Sequence, residues 1–125
     1  MFTRSELEIK TIAKLRILCQ RYGIKSTGNS GYKVSYITSL MAFPQLALQQ
    51  MNEGRGLKIP SFSSIQSLTV AIDEMGQPTN EQIALIRISL EGRRVNYPHR
   101  FQQEQLLNTY MAKIRLEDAL GILTK

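Results

Sequence analysis

A single cysteine, a single histidine and no tryptophan leave this chain with little of the chemistry that usually marks an enzyme or a metal protein. Cys19 has no partner for an intramolecular disulfide, which excludes a disulfide framework and points to a reducing compartment. His99 stands alone, so no histidine pair or Cys/His cluster is available to hold a metal. No phosphate-cradling glycine motif, nucleophile elbow or metalloprotease signature occurs. The adjacent pairs Asp73-Glu74 and Glu117-Asp118 point about 100° apart on a helix, which suits solvated charge better than an acid/base dyad. The longest apolar-leaning run, residues 36–48, is interrupted by Thr38, Ser39, Pro44 and Gln45 and is too short to span a bilayer. The start, MFTRSELEIK, lacks the apolar run of a signal peptide. The expectation is a cytoplasmic, non-enzymatic protein without cofactor or metal and without membrane contact, nucleoid-associated in a bacterium or nuclear in a eukaryote.

What the chain does have is basic charge, unevenly placed. Of its 125 residues, 16 are Lys or Arg and 10 are Asp or Glu, a formal net charge of +6, with a pI near 9.7. Residues 1–60 hold nine basic and three acidic side chains, whereas residues 61–125 hold seven of each. The whole surplus therefore lies in the first half. Such asymmetry points to a polyanion, with nucleic acid foremost.

Local signals are almost all helical. Thr3 and Ser5 each precede a glutamate by three residues, the capping-box spacing, and predict a first helix beginning there. Ile9, Ile12, Leu15, Leu18, Cys19 and Tyr22 recur at steps of three or four, predicting one buried stripe. Lys10, Lys14 and Arg21 fall on another side. Gly23 follows as a helix-ending residue. The loop KSTGNSG, residues 25–31, has small side chains and accessible backbone N–H groups. A second helix is expected from about Tyr32 to Ala42 with Val34, Ile37, Leu40 and Met41 inward. Pro44 is expected to start a third, short helix that ends at Gly54.

GRGLKIPSFSS, residues 54–64, reads as a linker between a basic helical module, residues 1–53, and a C-terminal helical unit, residues 65–125. Beyond it, helices are expected over about 61–75, 79–91 and 98–123, separated first by the turn GQPTN. IALIRISLEG is rich in β-branched residues, so an α+β alternative with a hairpin around residues 83–97 stays open. In the last helix Phe101, Leu106, Leu107, Tyr110, Met111, Ile114, Leu120 and Leu123 form the apolar face. Gln102, Gln103, Glu104, Lys113, Arg115 and Glu117 lie elsewhere. The fold class expected is all-α.

Two segments of the first half carry a family pattern. TIAKLRILCQRYGI has a β-branched start at Thr11-Ile12, then Leu15, Leu18 and the Gly23-Ile24 pair. GYKVSYITSL places Gly31, Lys33, Ile37 and Leu40 in a Gly-x-Lys-x-x-Leu-Ile-x-x-Leu arrangement. Together they resemble the SAP domain, a helix–extended loop–helix module whose members commonly bind DNA. The loop between Ile24 and Gly31 is about three residues longer than the family's. Tyr36 stands where leucine is usual, and Ser39 where a basic residue is frequent.

The resemblance implies contact with phosphates near the start of the second helix, and the residues supply a physical reason. A helix N-terminus carries unpaired N–H groups and a positive partial charge. Gly31, Tyr32 and Lys33 stand at that terminus. Lys25, Ser26, Thr27, Asn29 and Ser30 line the approach, and Lys14 and Arg21 extend a cationic track along the first helix. Of these, Arg21, Asn29 and Tyr32 are the side chains able to reach base edges. The reading is a small DNA-binding protein that grips duplex DNA mainly by its phosphates, a regulatory or nucleoid-associated factor. The alternatives are a protein-interaction adaptor, with a protein partner or a homodimer formed through the C-terminal helix, and an RNA-binding protein.

Overall fold

The computed structural model describes residues 1–29 and 31–125, and among them the chain is entirely helical, without a strand. Six helices form: α1 (Arg4–Glu8), α2 (Ile12–Tyr22), α3 (Lys33–Asn52), α4 (Phe62–Glu74), α5 (Asn80–Leu90) and α6 (His99–Leu123). They belong to two compact units, Met1–Lys58 and Ile59–Lys125. The hairpin alternative for residues 83–97 is thereby excluded, since α5 occupies most of that span. The β-branched residues of α5 follow an effective start signal: the Thr79 hydroxyl accepts the Gln82 N–H while the Gln82 side chain accepts the Thr79 N–H.

In the N-terminal unit the expected first helix is two helices. Thr3 and Glu6 do form a capping box. The chain then turns after Glu8, and the Thr11 hydroxyl accepts the Lys14 N–H to begin α2 afresh. This second cap resets the helical phase, so Ile9 falls outside the stripe, 85% exposed, and Tyr22, the last residue of α2, is 57% exposed. Leu15 and Cys19 remain buried. Gly23 ends α2 at φ +69°, in the left-handed region where a side chain is disfavoured.

The second correction concerns Pro44, which interrupts nothing: α3 runs through it as a single helix. Proline lacks an N–H and so forgoes one helical bond, a cost of roughly 3 kcal/mol with its ring clash. Good helix formers on its far side (Gln45, Leu46, Ala47, Leu48, Gln49) carry the helix on. On its near side Phe43 is anchored, its ring centroid 6.5 Å from that of Phe2.

The buried face of α3 is also not the expected one. Val34 and Met41 are exposed, while Ser35, Tyr36 and Ser39 join Ile37 and Leu40 inside. The cause lies in the topology. Arg16 of α2 meets Tyr36 of α3, and Phe2 touches both Tyr22 and Phe43, so α2 and α3 run the same way. Parallel helices need a return segment, and residues 25–29 supply it by lying back along α3. Thr27 packs on Ser39, and a Cβ on Gly28 would stand only 3.3 Å from Ser35 Oγ. Small serines make room for that backbone. The resulting core is Leu7, Leu15, Cys19, Tyr36, Ile37 and Leu40.

In the C-terminal unit the helix bounds fall within a residue or so of expectation, but the faces do not. α6 packs against both α4 and α5. Phe101, expected inside, is 64% exposed. Gln103 and Lys113, expected on the solvated side, are buried because loop carbonyls need them. Gln103 donates to Ser89 Oγ (2.8 Å) and to the Arg93 carbonyl (3.0 Å), and accepts the Val95 N–H (2.8 Å). Lys113 donates to the Gly76 carbonyl and pairs with Glu117 at 3.6 Å. No described helix is long and apolar enough to cross a membrane.

Candidate nucleic-acid interface

Helical spacing brings Lys14, Ile17, Leu18 and Arg21 together on α2, and Lys10, in the turn before it, joins them in lining one shallow groove. Lys14 and Arg21 are exposed and Lys10 is half-buried. From Lys14 to Arg21 the stripe climbs about 10 Å at the helical rise. No carboxylate lines it. The ion pairs among the described residues, Arg4–Glu8, Arg55–Glu53 and Lys113–Glu117, involve none of its cations. Lys10 is absent from the candidate contacts read off the sequence. No helical spacing signals it, because the chain turns between α1 and α2 there.

Arg16, the remaining cation of α2, serves the fold. Its Nε donates to the Tyr36 hydroxyl at 3.2 Å, and its guanidinium lies 5.9 Å from the Tyr36 ring centroid. Tyr36 thus uses its polar tip and ring face to hold a cation on the core's edge.

The approach to α3 divides into residues facing solution and residues committed to the fold. Lys25, Thr27 and Asn29 are exposed and Ser26 is half-buried. Thr27, however, donates its N–H to Ser39 Oγ at 2.9 Å, and its hydroxyl lies 3.3 Å from the same oxygen. Asn29 shapes the entry: its side-chain oxygen accepts the Gly31 N–H at 2.8 Å, and its carbonyl accepts the Tyr32 N–H at 3.1 Å. Tyr32 holds the N-cap position without a side-chain cap and is 63% exposed. Lys33 reaches back, donating its Nζ to the Glu8 carbonyl at the end of α1. A cation suits that helix terminus. It also ties Lys33 to α1 and leaves two of its three N–H donors for other partners. Ser30, also a candidate, lies outside the described residues.

Elsewhere, the small basic cluster after Gly92 is largely structural. Arg94 donates to the Ser89 and Arg93 carbonyls, and Arg100 to the Val95 carbonyl while its guanidinium lies 4.8 Å from the Tyr97 ring centroid. His99 is exposed at the start of α6, its Nδ1 3.2 Å from Gln102 Oε1. Burial raises the Cys19 thiol above its ordinary range, so it stays protonated and unreactive at neutral pH. Among the described residues no three His, Cys, Asp or Glu side chains gather into a metal site. Comparison of the chain with protein-family models, characterised proteins and solved structures finds no match.

Proposed function

We infer that this chain is a non-enzymatic binder of duplex DNA that holds the phosphate backbone, with the α2 groove as its main grip. One observation carries the reading: Lys10, Lys14 and Arg21 line a single groove without a carboxylate. It sits in a unit with nine basic and three acidic residues. Phosphate contacts need cations at helical intervals on an exposed face and tolerate a shallow surface. Lys25 and the outward-facing entry of α3 supply secondary contacts. Relative to the sequence reading, weight moves from Lys33 and Thr27, which have partners in the fold, to the α2 stripe.

A titration of duplex DNA across salt concentrations tests this. About four to six phosphate contacts give a slope of log K against log salt near −4 to −5. Lys14→Ala with Arg21→Ala should flatten that slope by about two. Binding indifferent to salt would remove the reading. A clear preference for single-stranded RNA over duplex would replace DNA with the alternative ligand.

A further inference from the structure

Away from the α2 groove, the N-terminal unit gathers three aromatic rings. Phe2 meets both Tyr22, the last residue of α2, and Phe43 of α3, with centroids 6.3 Å and 6.5 Å away. The ring planes are inclined at 62° and 60°, so neither pair hides its faces in a flat stack. Together with Met1 and Glu6 the rings line a hollow of about 490 Å³, a volume that suits a small-molecule site. Phe2 and Phe43 are half-buried and Tyr22 is exposed, so the hollow is open to solution.

The rings are unclaimed by the chain's own cations. Among the described residues the cation–π contacts are Arg16 on Tyr36 and Arg100 on Tyr97, and they involve none of these rings. No lysine or arginine lines the hollow. Centroids this close allow one ion to stand within about 6 Å of all three rings, the reach of a cation–π attraction.

Glu6 sets the sign of the guest. Its Oε2 accepts the Thr3 N–H at 3.3 Å, as half of the capping box. Its other oxygen has no hydrogen-bond or ion-pair partner among the described residues. The cap needs no charge, because Gln82 fills the same position in the capping box of α5. The charge at Glu6 is therefore surplus to the helix, and Glu6 is the one charged side chain on the wall. A neutral apolar guest would strip water from that carboxylate and leave it unpaired, whereas a cation would pair with it.

The rest of the lining selects among cations. A bare ammonium is strongly hydrated, and a guanidinium carries five donors where the hollow offers one spare carboxylate oxygen. A methylated ammonium needs few acceptors and lays its methyl groups on ring faces.

We propose that this hollow binds a methylated ammonium head, carried by a small molecule or by a lysine side chain. It shares no lining residue with the α2 groove and does not rest on DNA binding. Magnetic-resonance titration of the full chain with choline should shift the Phe2, Tyr22 and Phe43 ring signals to saturation. The neutral analogue of choline, with carbon in place of the charged nitrogen, should bind about tenfold more weakly. Glu6→Gln keeps the capping box and should weaken choline about threefold while leaving the neutral analogue unchanged. Tyr22→Leu, at an exposed position, should cost choline a similar factor. A trimethyllysine peptide that binds more tightly than choline assigns the head to a side chain, and the reverse order assigns it to a free molecule. Equal affinity for choline and its neutral analogue overturns the proposal. So does an affinity for choline that survives Glu6→Gln or Tyr22→Leu undiminished, or a titration in which these ring signals stay still.

Discussion

The two units solve the same problem, a small helical core, with different materials. The N-terminal unit closes its core with six apolar side chains drawn from α1, α2 and α3. The C-terminal unit buries few apolar side chains and holds its loops with buried polar ones, Ser89, Gln103 and Lys113. Cations follow this division only in part. Arg94, Arg100 and Lys113 in the C-terminal unit satisfy backbone carbonyls. In the N-terminal unit Lys33 donates to the Glu8 carbonyl and Arg16 to the Tyr36 hydroxyl, while Lys10, Lys14 and Arg21 line an outer groove.

The largest effect that would break this contrast is a cavity in each core. Leu40 is 1% exposed and packs with Leu7 and Leu15. Leu40→Ala should destabilise the N-terminal unit by about 3–4 kcal/mol. Ile86, 3% exposed beside an open hollow, lies where the surroundings can relax, so Ile86→Ala should cost about 2 kcal/mol. Hydrogen exchange of the α3 and α5 amides in the two variants reads each cost separately. Equal losses would mean that the C-terminal core is as closed as the N-terminal one.

A second test replaces the fastener. Gln103→Leu keeps the volume but removes a double donor and an acceptor, stranding the Val95 N–H and the Arg93 carbonyl. An unsatisfied, partly buried pair of this kind costs about 2 kcal/mol. Urea unfolding should show that loss at unchanged slope. A variant as stable as the parent would show that apolar burial holds this unit after all.

The helices themselves were legible because their signals are local. Thr3 with Glu6, the GQPTN turn before α5, and Gly23 all act within a few residues, and each acts as its type and spacing imply. The break before Thr11 and the passage through Pro44 were not, since each is a contest between two local signals that tertiary anchoring decides. Within the candidate interface, Lys14 and Arg21 could be read from spacing alone. Thr27 and Lys33 could not, because what engages them lies 12 and 25 residues away. Gln103 and Lys113 misled for the same reason: a polar residue at a polar-looking position answers to carbonyls on another element.

The smallest effect sharpens the comparison most, because it asks whether the N-terminal unit also uses a polar fastener. Ser39 Oγ accepts the Thr27 N–H at 2.9 Å and donates to the Ser35 carbonyl at 3.0 Å, tying the return segment to α3. Ser39→Ala removes the acceptor, but alanine is the better helix former, which offsets part of the loss. The net cost should be about 1 kcal/mol, seen as roughly fivefold faster exchange of the Thr27 amide. The α2 groove draws none of its lining from the return segment. The same substitution should therefore leave the salt slope of DNA binding within about one of the parent's, well short of the change from Lys14→Ala with Arg21→Ala. A Thr27 amide that exchanges at the parent rate would show that the segment is held by packing at Gly28 and Ser35 alone. A salt slope that collapses would return the grip to the approach to α3.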